Sequence, residues 1–317
     1  MKKFVCTLVA LMMALACLAG CSSPAAEPAA AETAPAGEAA ASGGTIKIGM
    51  LAPLTGAVAE YGQAVANGVR MYTEELNAKG GVNGKQIELV EYDEEGDSAK
   101  AVTGYNSLVD QDVTAIIGDV TTAPTVAVVV ESQADNMPMI TASATAAAVT
   151  VDQDSGAVYE NMFRSCFIDP FQGNKMASFA SEKMSAKTAA ILYNTGSDYS
   201  IGLSDSFQEQ AKAIGLEVVA VESFADGATE FQSQLTNIAA KNPDVLFVPD
   251  YYSVVALVAQ QASAAGLTAT MIGADGWDSV LDVVTDASLL EGAYYCSGYS
   301  IQDTSEAVQT FVKNYQA

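Results

Sequence analysis

From Thr45 onward, short apolar runs alternate with longer amphipathic stretches. Thr45–Leu51 alternates, then stays apolar, and predicts a first strand, with Pro53-Leu54-Thr55-Gly56 turning the chain at its end. Between about Ala59 and Ala78, Val65, Val69, Tyr72 and Leu76 recur at helical spacing, and the Gly-rich stretch from Gly80 to Gly84 ends that helix. Gln86–Tyr92 predicts a second strand and Ser98–Gln111 a second helix. Ala115–Ile117 and Pro138–Ile140 predict two buried strands around a helix over Thr125–Asn136. Val149–Tyr159 breaks the rhythm, and a second series follows. It predicts strands at Lys187–Tyr193, Glu217–Phe224, Asp244–Pro249 and Ala269–Ala274, and helices at Tyr199–Ile214, Thr229–Lys241 and Ser253–Ala265. Strand–helix alternation of this kind means parallel sheets flanked by helices, here in two similar α/β lobes with a cleft between them. The boundary falls between Thr145 and Phe163.

Two turns stand out. Gly118-Asp119-Val120-Thr121-Thr122 and Thr141-Ala142-Ser143-Ala144-Thr145 each follow a buried strand directly. They place hydroxyls and free backbone N–H groups at strand carboxyl ends, where open α/β sheets bind ligands. A helix N-terminus beside Thr122 suits an anion such as a carboxylate. The same residues also serve as ordinary N-caps, so the pattern alone leaves both readings open.

Composition narrows the chemistry. The 317 residues include no histidine, which excludes Ser-His-Asp and Cys-His catalysis and every His-based metal site. No Gly-x-x-x-x-Gly-Lys phosphate loop is present. Neither a metal nor a cofactor is expected; carboxylate-only chemistry stays open, so an enzyme is disfavoured and not excluded. A formal charge of −24 argues against nucleic acid and against adsorption to anionic lipid. Cys166 and Cys296 are the only cysteines beyond the N-terminal segment; their spacing matches no metal motif, and whether they pair is left open.

Met1-Lys2-Lys3 precedes an uncharged apolar run, Phe4–Ala19, that has the shape of a secretory signal. Leu18-Ala19-Gly20-Cys21 resembles the bacterial lipoprotein signal box, which implies removal of residues 1–20 and lipidation of Cys21; a plain signal peptide is the alternative. Residues 21–44, rich in Ala, Pro and Glu, are expected to be a disordered tether between membrane and folded domain.

Further motifs carry a family resemblance. Ile46-Lys47-Ile48-Gly49, Ala52-Pro53-Leu54-Thr55-Gly56, Tyr61-Gly62 and Gly80-Gly81-Val82-Asn83-Gly84-Lys85 occur in order. Phe163-Arg164-Ser165, Asp169-Pro170-Phe171-Gln172-Gly173, Asn242-Pro243-Asp244 and Gly273-Ala274-Asp275-Gly276-Trp277 follow. Together they resemble the branched-chain amino-acid-binding lipoproteins of ABC importers, over nearly all of 45–317. The resemblance implies a type I periplasmic-binding-protein fold: two Rossmann-like lobes, the first at 45–150 and the second at 151–302, with 303–317 starting a return to the first. It also implies a chain that continues past Ala317, and hence an incomplete first lobe with exposed apolar edges. A free amino acid (leucine, isoleucine, valine or similar) would lie in the cleft and pass to permease subunits. The protein would be an extracytoplasmic, lipid-anchored monomer doing no chemistry.

By motif position, Thr122, Ser143 and Thr145 would face the ligand carboxylate, with Ser143 offering its carbonyl to the ammonium and Ala144 lining the pocket. Asp275 would meet the ammonium. Tyr61, Tyr199, Tyr251 and Trp277 would supply aromatic walls, with Tyr252 the register alternative to Tyr251. A ligand-sensing module for a receptor, or a binder of amides or other small acids, fits the same residues.

Overall fold

The computed structural model describes residues 43–316. The signal segment, Cys21 and the tether up to residue 42 lie outside them. In chain order the elements are β1 (Gly43–Ala52), α1 (Ala59–Ala78), β2 (Lys85–Asp93), α2 (Ser98–Val109), β3 (Ala115–Ile117), α3 (Thr122–Asp135), β4 (Met139–Thr141) and β5 (Met162–Arg164). Next come α4 (Asp169–Glu182), β6 (Thr188–Asn194), α5 (Asp198–Ile214), β7 (Glu217–Phe224), α6 (Gln232–Ala239), β8 (Val245–Phe247), α7 (Tyr252–Ala264) and β9 (Thr270–Gly273). α8 (Val280–Val283), β10 (Tyr294–Tyr295) and α9 (Glu306–Tyr315) complete the series.

Two five-stranded parallel sheets result, ordered β2-β1-β3-β4-β5 and β7-β6-β8-β9-β10. Counted within each lobe, both orders are 2-1-3-4-5, with a reversal beside the first strand of each. The rhythm break at 150/151 is not where the sheets divide: Met139, Ile140 and Thr141 pair with Met162, Phe163 and Arg164, so β5 belongs to the first sheet. Gly43 and Gly44, read as the end of the tether, begin β1.

The second sheet is buried on both faces. Leu192, Leu246 and Val248 pack with α6 and α7, while Ile191, Phe247 and Ile272 pack with α4 and α5. In the first sheet alternate residues divide sharply, as strand geometry requires. Leu51, Ile116, Met139 and Met162 join Tyr105, Leu108 and Val128 in a core under α2 and α3. Ile48, Ile117, Ile140 and Phe163 face the other side, toward Val65, Val69 and Tyr72 of α1, and line an open apolar groove. Phe163 is 56% exposed and Tyr72 58%. The α9 helix lies beside α1, with the Tyr315 hydroxyl 3.5 Å from the Ala64 carbonyl.

No helix among the described residues is long and apolar enough to cross a membrane. Cys166 and Cys296 are both half-buried free thiols.

Candidate functional site

Six loops meet between the lobes, and each follows the first, third or fourth strand of its sheet. From the first lobe come the segments after β1, β3 and β4; from the second, those after β6, β8 and β9. They bring Tyr61, Thr122, Ser143, Thr145, Tyr199, Tyr251 and Asp275 to one end of a continuous cavity that also takes in the apolar groove under α1, about 1190 Å³ in all. Two predicted residues do not line it. Ala144 is fully buried in the first-lobe core, and its carbonyl accepts from the Arg164 guanidinium. Trp277 is buried at 1% exposure in the second-lobe core, its indole N–H donating to the Val248 carbonyl at 2.8 Å. The short turn after Asp275 sends the two side chains opposite ways, and the indole folds back over Gly273. A Cβ on Gly273 would sit 2.1 Å from that ring, so only glycine fits there.

The first-lobe wall is made of donors. The α3 helix starts at Thr122, whose hydroxyl is buried without a partner and whose backbone N–H approaches the Tyr251 hydroxyl. The Ser143 hydroxyl donates to the Val120 carbonyl at 2.7 Å and ties the two turns together. Arg164 fixes the second turn by donating to the carbonyls of Ala144 and Ala146.

Behind this wall lies a pair of acids. Glu94 and Asp119 are fully buried beside each other; neither Glu94 carboxyl oxygen nor Asp119 Oδ2 has a hydrogen-bond partner, and no cation among the described residues neutralises the pair. Burial, with some help from the charge of Asp93, pushes Glu94 up to about 7. Burial and then the charge of Glu94 raise Asp119 well above the usual carboxylate range. Such a pair holds one proton between its members. Asp119 also accepts from the Val120 N–H and the Thr141 hydroxyl, the latter through its carbonyl, so it underlies both cleft turns.

The second-lobe wall is acidic and aromatic. Asp275 accepts from the Tyr199 hydroxyl at 2.7 Å and from the Gln172 amide at 3.0 Å, while its own N–H donates to Gln172 at 2.9 Å. Burial raises its pKa, because no cation among the described residues pairs with it. Tyr251 stacks on Tyr199 with ring centres 4.8 Å apart. Tyr252, the register alternative, begins α7 and lies outside the cavity lining.

The lobes touch through α1. Tyr61 donates to the Gly276 carbonyl at 2.5 Å and accepts from the Tyr252 N–H at 3.4 Å, and Glu60 donates its N–H to the Tyr252 hydroxyl at 3.3 Å. Tyr61 also packs edge-on against both Tyr251 and Tyr252. Tyr61 therefore spans the cleft, and the cavity is closed on that side. Among the described residues no cluster could hold a metal ion.

Residues 45–317 match the family model described as periplasmic binding protein. The chain belongs to that family. This periplasmic binding protein is 31% identical over 232 residues to a leucine-, isoleucine-, valine-, threonine- and alanine-binding protein of Pseudomonas aeruginosa, covering 73% of this chain and 61% of the relative. It is 30% identical over 240 residues to a Leu/Ile/Val-binding protein homolog of Brucella melitensis, covering 76% and 64%. The chain thus spans a little over three fifths of these curated relatives. Among solved structures it is similar to a leucine binding protein from Thermotoga maritima, at TM-score 0.78 and 31% identity, covering 86% of this chain and 75% of the other. A branched-chain amino acid transporter substrate binding protein from Streptococcus pneumoniae, solved with isoleucine, gives TM-score 0.77 and 32% identity, covering 86% and 76%.

Gln172 and Arg164 hold the walls of this periplasmic binding protein's cleft, and the sequence alone gives neither a site role. Gln172 and Arg164 stand inside quoted motifs. Their partners Asp275 and Ala144 lie 103 and 20 residues away, so no local pattern announces the contacts.

Proposed function

We propose that this chain is the extracytoplasmic solute-binding component of an ABC importer, taking a free amino acid with a branched aliphatic side chain and delivering it to permease subunits. The observation that carries the reading is Asp275. A buried carboxylate without a cation is costly, and an α-ammonium group supplies the missing charge. Across the cleft, the Thr122 hydroxyl and N–H and the Thr145 hydroxyl offer donors to an α-carboxylate. The apolar character of the adjoining groove, and the ligands named for the relatives, favour an aliphatic side chain over a polar one. Seven residues form the proposed contact set: Tyr61, Thr122, Ser143, Thr145, Tyr199, Tyr251 and Asp275. Binding closes the lobes by hinge motion and involves no chemistry on the ligand. Cys21 would carry the lipid that holds the monomer at the membrane.

Thermal melting of the chain from Gly43 against the free amino acids tests this directly. A ligand at ~1,000 times its dissociation constant stabilises by roughly 4 kcal/mol. A clear rise in Tm with leucine, isoleucine or valine is expected. A rise with a different amino acid keeps the mechanism and changes the substrate, and no rise with any amino acid overturns the reading.

Tyr61→Phe is expected to weaken binding by about 1 kcal/mol, roughly fivefold, because the hydroxyl's interlobe bonds form only when the cleft is closed. Titration calorimetry measures the loss. An unchanged affinity would mean that these bonds do not favour closure.

A further inference from the structure

Asp169 is the first residue of α4 and is 1% exposed. Neither of its carboxyl oxygens has a well-formed hydrogen bond, although the Thr145 hydroxyl adjoins them. Its backbone N–H donates to the Thr145 carbonyl at 3.1 Å, which holds the two residues together. Thr145 lines the cavity and Asp169 does not. The groups facing Asp169 from the surrounding elements are Asp275, Arg164, Cys166, Tyr199 and Tyr251. Only Arg164 is cationic; its guanidinium donates to Ala144, Ala146 and Thr150 and makes no ion pair with Asp169. Burial first, and Asp275 second, push Asp169 up to about 7.

A threonine hydroxyl has one hydrogen to give. If Asp169 is ionised, it claims that hydrogen, and a ligand carboxylate at Thr145 meets a lone pair. If Asp169 is protonated, it donates to the Thr145 oxygen, and the hydroxyl hydrogen is free to point into the cleft. We propose that Asp169 is a proton-carrying positioning residue: binding of a ligand carboxylate at Thr145 takes one proton from solvent onto Asp169, which then holds the Thr145 hydroxyl as a donor. The inference rests on the reading of the cleft as a site for a carboxylate.

The proton count has a defined sign. A ligand that stabilises protonated Asp169 binds best below the group's free value and loses affinity as pH rises through it. Asp275 works in the opposite sense, since an ammonium stabilises its ionised form, so affinity falls as pH drops through its raised value. The two contributions are separated by mutating Asp169 alone.

The experiment is titration calorimetry with L-leucine at pH 6.0, 7.0 and 8.5, in pairs of buffers that differ in ionisation enthalpy, on the protein and on Asp169→Asn. The asparagine amide donates at every pH. The protein is expected to lose about tenfold in affinity between pH 7.0 and 8.5 and to take up more protons on binding than the variant, whose alkaline limb is flat. Thr145→Val removes the relay from its other end; it is expected to bind more weakly and also to lack the alkaline limb, which covers the case in which Asp169→Asn does not fold. Equal proton uptake and equal alkaline limbs in the protein and the folded variants overturn the relay and leave the amino-acid reading standing. Absence of leucine binding by the unmutated protein, repeated with isoleucine and valine, overturns both.

Discussion

Replacing Asp275 with alanine is expected to weaken amino-acid binding by about 3 kcal/mol, roughly a hundredfold or more, and to leave the ligand-free protein no less stable. The two effects have one cause. Asp275 is buried against Tyr199 and Gln172 with a raised pKa and no cation beside it among the described residues. Its ionised form is therefore a liability until an ammonium arrives. Removing the carboxyl relieves the free state and leaves the bound ammonium unpaired in a closed cleft. Asp275→Asn keeps the volume and isolates the charge, so it should lose most of the same affinity. Titration calorimetry and melting of the ligand-free variants check both halves. Affinity within twofold of the unmutated protein in both variants would remove Asp275 from the ammonium end of the site.

Glu94→Gln is expected to stabilise the protein at pH 8 by on the order of 2–3 kcal/mol and to flatten part of its pH–stability curve. Glu94 is held up to about 7 in the folded state by burial, so the folded protein binds its proton more tightly than the unfolded chain does. The stability this contributes is present below the ordinary glutamate value and is lost as pH rises through about 7, when the pair with Asp119 loses its proton and two buried carboxylates face each other. A glutamine amide donates to Asp119 at any pH and removes the repulsion. Asp169 and Asp250 are pushed up to about 7 as well, so the whole protein should soften toward alkaline pH. The difference between the variant and the unmutated protein across pH 5–9 isolates the Glu94 share. Parallel melting curves over that range would show that the pair does not share a proton.

The elements that could be read from the chain are those whose pattern is set locally. The bounds of α1 and β7 match the sequence reading residue for residue, because α1 has apolar positions at helical spacing and a Gly-rich stop, and β7 a compact Val-rich run followed by a turn at Gly227. The 14-residue helix α4 was invisible for the opposite reason. It packs against α5 through small residues, and a Cβ on Gly173 would lie 2.2 Å from the Ser206 hydroxyl. Close helix contact built on Gly173, Ala177 and Ala180 leaves little apolar signal, although Pro170 in its first turn is a start mark. The edge strands β5 and β10, three and two residues long, offer too short a run to show alternation. Within the cleft, strand-end position marks the turns of Thr122, Ser143 and Thr145, and the family resemblance adds Tyr61, Tyr199, Tyr251 and Asp275; all seven line one cavity, while side-chain direction inside a turn does not follow from position. Ala144 and Trp277 stand next to or near cavity residues and point into the cores.

Trp277 is the only tryptophan in the chain. It lies two residues beyond Asp275, with its indole held by Val248 and pressed on Gly273. All indole fluorescence of the protein therefore originates from one buried point behind the second-lobe wall. Because the ring lies outside the cavity lining, a ligand does not quench it by touching it; a spectral change on binding reports movement of the Asp275 turn itself. The molecule carries an internal optical gauge of its second lobe and is silent, at the same wavelengths, about its first.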